Sequence, residues 1–381
     1  MIKVSQGCLG EEEVKEVLSA FEYGYFGLAA KVDEFEQDLG SYLGATFAVA
    51  TNSGTNAMHL ALDSLGIGKG DEVIVPSLTF VASFQAISAT GARPVACDVL
   101  PDTLLIDVED ARKRISKNTK AIMPVHYVGS PCDMEALLEL KELHGIRIVE
   151  DAAHAFGSTF KGKKIGSFGD ITCFSFDSLK NITCGEGGLI ICNEKELYEL
   201  CRKKRNLGLD RKNQTTTSWK ERSWSYDVVT QGFRYHMSNI NAAIGLAQLR
   251  KADEFIFRRR EICKKYDDAF QVEPGIKLLR VDYATVAPHI YVIRVRNNLR
   301  DPLKQYLQEQ NIETGISYIP NHLHTFYREN GLSLPETEKA YKEILTLPLH
   351  CKLSDSNVDR VIACVHKFFE QEKQHLKPKD V

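Results

Sequence analysis

Lys180 lies where a strand-like run, Phe174-Ser175-Phe176, opens into Asp177-Ser178-Leu179-Lys180-Asn181-Ile182-Thr183-Cys184, and Gly185-Glu186-Gly187-Gly188 leads into the next apolar run. A lysine held against a sheet edge and partly desolvated can lose its proton and attack a carbonyl. The plainer alternative is a solvated loop lysine, as most lysines are. A second run, Ile148-Val149-Glu150-Asp151-Ala152-Ala153-His154, ends a strand in two carboxylates followed by small residues. One carboxylate then stands at the carboxyl edge of a sheet, where α/β folds bind ligands. Its alternative is a helix cap by Asp151. Third, Asn52-Ser53-Gly54-Thr55-Asn56 joins a strand end to a helix start. Free helix N–H groups and a close-approaching glycine there suit an anion, although a bland turn with a threonine cap fits the same letters. Fourth, Phe80 follows another strand end in Pro76-Ser77-Leu78-Thr79-Phe80 and could stack on a flat ring or sit in the core.

One cofactor uses all four. Pyridoxal phosphate needs a lysine for its Schiff base, a carboxylate at its ring nitrogen, an anion cradle and a stacking face. Lys180, Asp151, Gly54 and Thr55 with Ser175, and Phe80 would supply these in turn.

The elements that must position them are legible as an α/β alternation. Strands are predicted at Phe47–Asn52, Glu72–Ser77, Arg93–Val99, Lys120–Tyr127, Arg147–Asp151, Asp170–Phe176 and Gly188–Asn193. Helical spacing appears at 31–43 (Val32, Phe35, Leu39, Leu43), Asn56–Leu65 and Asp133–His144. Repeated strand–helix–strand order predicts a mostly parallel sheet covered by helices. Residues 202–222 are polar and basic and read as a mobile surface segment. A small-residue helix at Ser238–Leu249 and a charged helix near 250–272 then lead to a smaller C-terminal α/β lobe. The expected division is 1–249 and 250–381.

Composition narrows the function. With 381 residues, 43% hydrophobic and 26% charged, the chain is an ordinary globular protein. Its formal charge of −3 disfavours nucleic acid and anionic membranes as partners. No run is long and apolar enough to cross a bilayer, and the N-terminus lacks a signal-peptide profile, so the expected address is cytoplasmic. Ten dispersed cysteines, without CxxC or zinc spacing, are expected to be free thiols, and no metal is expected.

The chain resembles the DegT/DnrJ/StrS group of sugar aminotransferases, pyridoxal-phosphate enzymes of fold type I, over nearly its whole length. The resemblance rests on Thr51–Thr55, Pro76–Phe80, Pro124–Gly129, Glu150–His154, Ser175 with Lys180–Gly188, and Asn241–Leu249. It implies that Lys180 is the Schiff-base lysine and proton carrier, and that Asp151 pairs with the pyridine nitrogen. His154 would lie near the ring's phenolic oxygen, Gly54, Thr55 and Ser175 would bind phosphate, and Phe80 would stack. It further implies a homodimer with shared active sites. Where the family has Gly-x-Asn-x-Arg, its Asn reaching across the dimer to the phosphate, this chain has Gly232-Phe233-Arg234-Tyr235-His236. Arg234 is the expected phosphate contact and His236 a substrate contact. A basic residue here, together with Val125-His126-Tyr127 and Lys180-Asn181-Ile182-Thr183-Cys184, is similar to the enzymes that aminate a UDP-4-keto-pentose for lipid A modification. Ile319–His324, with His322 and His324 as candidate substrate contacts, is closer to the 4-keto-6-deoxyhexose branches. The implied reaction moves an amino group from L-glutamate to a nucleotide-linked keto-sugar at C4. Amination at C3 is the alternative, and a non-catalytic sugar-nucleotide or cofactor sensor is the rival from another class. The basic residues Arg202–Arg205, Arg211 and Lys212 could meet a diphosphate or form a solvated run.

Overall fold

The computed structural model describes residues 1–210 and 226–375. Arg211 and Lys212, and most of the segment read as mobile, lie outside the described residues. The core is a seven-stranded sheet made from β1 (Phe47–Thr51), β2 (Glu72–Pro76), β3 (Arg93–Cys97), β4 (Thr119–Ile122), β5 (Arg147–Asp151), β8 (Ile171–Ser175) and β9 (Gly188–Cys192). A two-strand hairpin, β6 (Thr159–Phe160) and β7 (Lys163–Lys164), lies between β5 and β8. The strand order is β1-β9-β8-β5-β4-β2-β3, with β9 antiparallel to both its neighbours and the other pairs parallel. β1 therefore runs in the same direction as β8, and six strands point their carboxyl ends to one edge. That edge carries every first-rank candidate of the sequence.

Continuous apolar runs build these strands because helices cover both faces. Ile148 and Val149 of β5 are fully buried, as are Leu189 and Ile190 of β9. The helix Ala30–Leu43 buries Val32, Phe35, Leu39 and Leu43, its predicted stripe, and stops at Gly44 in the left-handed conformation. Each such side chain stabilises the fold by roughly 1.5–3 kcal/mol on burial. The small residues of the helix Asn239–Arg250 have a packing reason. A Cβ on Gly245 would stand 2.5 Å from the Phe35 ring, so the aromatic occupies the room the glycine leaves.

The helix Ala252–Phe270 leads into an antiparallel three-stranded sheet (Ile276–Leu278, Tyr291–Val295, Ile344–Leu347). Its own core gathers Tyr266, Phe270, Ile293, Leu345 and Val361. Ile2 belongs to that core and pairs with Ile312, and the Leu349 amide donates to the Val4 carbonyl. The first few residues thus pack on the C-terminal lobe, whereas the sequence division groups them with the large one.

Arg202–Arg205 also departs from expectation. These residues close the helix Lys195–Arg205 instead of starting a mobile segment. Lys204 pairs with Asp63, Lys203 with Asp210, and the buried Arg205 binds Glu36 and the Ala50 carbonyl. Three of the four cations are spent inside the fold.

Candidate active site

β8 ends at Ser175, and the loop beyond it is closed at its base by backbone bonds from Phe176 to the Gly187 carbonyl (2.8 Å) and from Cys184 to the Phe176 carbonyl (2.9 Å). Within it Asp177 makes a turn: its carboxylate accepts from the Leu179 amide, and its carbonyl from the Lys180 amide. This sets Lys180 over the sheet edge, partly covered. Burial pushes its ammonium below the ordinary lysine range, opposed by the negative charges of Asp151 and Asp177. The solvated-lysine alternative does not describe it.

β5 delivers its two carboxylates to opposite places. Glu150 is fully buried, takes Thr172 Oγ1 and the Gly169 amide on one oxygen, and faces His126 Nε2 at 2.9 Å on the other. The Cys132 amide donates into His126 Nδ1, so that ring carries its proton on Nε2 and gives it to Glu150. Asp151 turns to the edge instead. Its Oδ1 accepts from the Ala153 amide (3.1 Å) and its Oδ2 from the Ser83 hydroxyl (2.7 Å). No helix follows it, so the helix-cap alternative falls.

The loop after β1 is built for a close approach. Ser53, not Thr55, caps the helix Gly54–Ser64 by accepting from the Asn56 amide. A Cβ on Gly54 would come within 2.7 Å of Ser175 Cβ, so only glycine lets the helix start meet the end of β8. The first turn of that helix thus presents its amides beside the Ser175 hydroxyl.

Phe80 caps the helix Val81–Ala89 and is 55% exposed, which excludes the core-aromatic alternative. Its ring lies 5.5 Å from that of Tyr318. The Tyr318 hydroxyl is 3.0 Å from Nε2 of buried His154, whose ring packs 4.4 Å from His289. Burial, with the nearby Lys180 charge, holds both imidazoles well below their usual range. Tyr318 is pushed the other way, by burial and by Asp151 and Asp177.

The remaining candidates separate. Arg234 and His236 lie two apart on an extended segment beside the end of β1, where Thr51 bridges His236 and the Asn52 amide donates to the Tyr235 carbonyl. Arg234 is exposed; His236 is half-buried, its imidazole lowered by burial and by Arg234 and Arg205. His322, an expected substrate contact, stands where the C-terminal lobe meets the loop after β2. It is buried, with Nδ1 2.7 Å from Ser77 Oγ and Nε2 3.5 Å from Glu338. The ring ties the C-terminal lobe to the loop after β2. His324 is half-buried, one turn further on.

Residues 7–366 match the model of the DegT/DnrJ/EryC1/StrS aminotransferase family. The chain belongs to this family. It is 39% identical over 370 residues to the spore coat polysaccharide biosynthesis protein SpsC of Bacillus subtilis, covering 94% of each. Among solved structures it is similar to the aminotransferase TlmJ of Streptoalloteichus hindustanus (36% identity, TM-score 0.91, 98% of this chain and 100% of that one). It is also similar to the putative sugar aminotransferase Spr1654 of Streptococcus pneumoniae in its pyridoxamine-phosphate form (32%, TM-score 0.90, 97% and 100%). As a member of this family the chain is a sugar aminotransferase of fold type I, and pyridoxal phosphate is its cofactor.

The residues present fit that group. Gly54 brings the first turn of its helix against Ser175, Phe80 offers an exposed face, and buried His154 Nδ1 has no hydrogen-bond partner. Sequence reasoning missed Ser83, Thr79, Tyr318 and His289. Ser83 carried a faint signal, one helical turn beyond Thr79 and just after a strand end. Tyr318 and His289 reach the site across the chain and carried none.

Proposed function

We propose that this enzyme transfers an amino group from L-glutamate to C4 of a nucleotide-linked keto-sugar, for surface polysaccharide or glycan synthesis. Lys180 and Asp151 meet at one sheet edge, beside the close approach of Gly54 to Ser175, and this meeting supports the transfer chemistry. Bound there, pyridoxal phosphate supplies an electron sink for moving an amino group between two carbon skeletons. Asp151 would hold the ring nitrogen, Phe80 the ring face, His154 the side of the phenolic oxygen. Gly54, Thr55 and Ser175 would hold the phosphate. Lys180, with its lowered basicity, anchors the cofactor and carries the proton between donor and acceptor carbons. The relation to SpsC supports a polysaccharide precursor as product.

The same reading makes the enzyme a cytoplasmic homodimer, with a cofactor domain over residues 1–249 and a smaller one beyond. All ten cysteines are free, in keeping with a reducing compartment. Val14, Leu18 and Phe21 form an exposed stripe on the helix Glu11–Glu22, with Phe26 beyond it. Such a stripe suits a second copy. Arg234 and His236 would then complete the partner's site. A Leu18→Asp/Phe21→Asp variant is expected to sediment as a monomer and to retain cofactor poorly. Unchanged sedimentation of the variant would remove this face from the interface.

The substrate assignment is tested by offering the glutamate-treated enzyme UDP-, dTDP- and GDP-linked 4-keto and 3-keto sugars and locating the new amine by NMR. One 4-keto sugar is expected to be aminated. Product from a 3-keto sugar alone would place the chain in the C3 branch, and no product from any would count against a nucleotide-sugar substrate.

A further inference from the structure

Three buried hydroxyl and carboxylate groups form a chain behind the site. Thr79 Oγ1 lies 3.0 Å from Ser83 Oγ, which lies 2.7 Å from Asp151 Oδ2, and all three residues are at most 5% exposed. A carboxylate oxygen only accepts, and serine has a single proton. That proton has three acceptors within reach, Asp151 Oδ2 at 2.7 Å, Thr79 Oγ1 at 3.0 Å and the Phe80 carbonyl at 3.3 Å. The shortest, charge-assisted bond takes it. Ser83 Oγ is then left to accept from Thr79, which makes the order of donation Thr79 to Ser83 to Asp151.

The chain has a rigid footing. Asn321, fully buried, donates from Nδ2 to the carbonyls of Ser77 (3.1 Å) and Thr79 (2.9 Å). With His322 on Ser77, the C-terminal lobe fixes the loop from which Thr79 reaches Ser83. In a buried setting aligned bonds of this kind polarise one another and resist reorientation.

We propose that Ser83, oriented by Thr79, is a positioning residue for the transfer reaction: its hydroxyl fixes the Asp151 carboxylate in the one orientation that meets the cofactor's ring nitrogen. This rests on the reading of Asp151 given above. The Ala153 amide holds one carboxylate oxygen and Ser83 the other. With both oxygens pinned, the carboxylate plane cannot rotate away. Ser83 touches neither cofactor nor substrate in this scheme and acts only through Asp151.

The test uses the full chain loaded with pyridoxal phosphate. Ser83→Ala is expected to fold and bind cofactor, yet to lose about 10- to 100-fold in kcat, the range for a hydrogen bond to a charged group. The KM for L-glutamate should change little, and Ser83→Thr should restore the rate. Independently of turnover, the nitrogen NMR resonance of 15N-labelled pyridoxal phosphate should move in Ser83→Ala and return in Ser83→Thr. In an Asp151→Asn background, Ser83→Ala should cost nothing more, since the two act as one unit. An unmoved ring-nitrogen resonance, or a loss that adds in full to that of Asp151→Asn, overturns the proposal and leaves the reading of Asp151 standing. If Asp151→Asn itself leaves resonance and rate unchanged, the underlying reading falls and the proposal falls with it.

Discussion

A Lys180→Ala variant is expected to lose about four orders of magnitude in turnover, the upper range for a positioned proton-transfer group. It also loses the visible band of covalently attached cofactor. The protein should remain folded. The lysine loop is closed by the backbone bonds of Phe176 with Gly187 and Cys184, and by the turn at Asp177, none of which uses the amine. Removing an amine that burial already disfavours costs the fold little, so thermal unfolding should shift by only a few degrees. Absorbance and donor-dependent release of 2-oxoglutarate, measured beside circular dichroism, check the pair. Transamination at an undiminished rate would take Lys180 out of the mechanism.

The second large effect is Asp151→Asn. The substitution keeps the size of the side chain and removes its charge. It also places an NH2 group against one of two donors, the Ala153 amide or the Ser83 hydroxyl. Ser83 has an alternative acceptor in the Phe80 carbonyl, so the site can relax without unfolding. Cofactor should still bind through the Gly54–Ser175 cradle and through Lys180. The rate should fall about 10²- to 10³-fold, as when one preorganised electrostatic partner of a reacting system is removed. Steady-state kinetics with cofactor occupancy measured in parallel separate the two effects. A full rate with full occupancy would reduce Asp151 to a turn-former.

Much of the architecture was legible because strand ends announce themselves locally. The apolar runs ending at Thr51, Pro76, Asp151 and Ser175 close β1, β2, β5 and β8, and the candidate site residues stand at those ends or in the short loops just beyond them. Lys180 and Phe80 became candidates in the same way. Short-range pattern could not say which of Glu150 and Asp151 faces the edge. Strand alternation separates them, and the partner of Glu150, His126, comes from the preceding strand–loop unit. Nor could it show that His322 Nδ1 meets Ser77, a contact made across 245 residues of chain. The basic run at Arg202–Arg205 misled for a related reason. Three of its four charges pair with Asp63, Asp210 and Glu36, of which only Asp210 is close in sequence.

We propose that Lys180 and Asp151 form a working pyridoxal-phosphate centre with L-glutamate as donor. The most direct measurement is the visible absorption spectrum of the purified protein with pyridoxal phosphate, before and after L-glutamate is added. The expected result is a visible band of bound cofactor that L-glutamate bleaches, with 2-oxoglutarate released in equal amount. Failure of any band to form would contradict the role of Lys180, and a band that L-glutamate leaves untouched would contradict the donor.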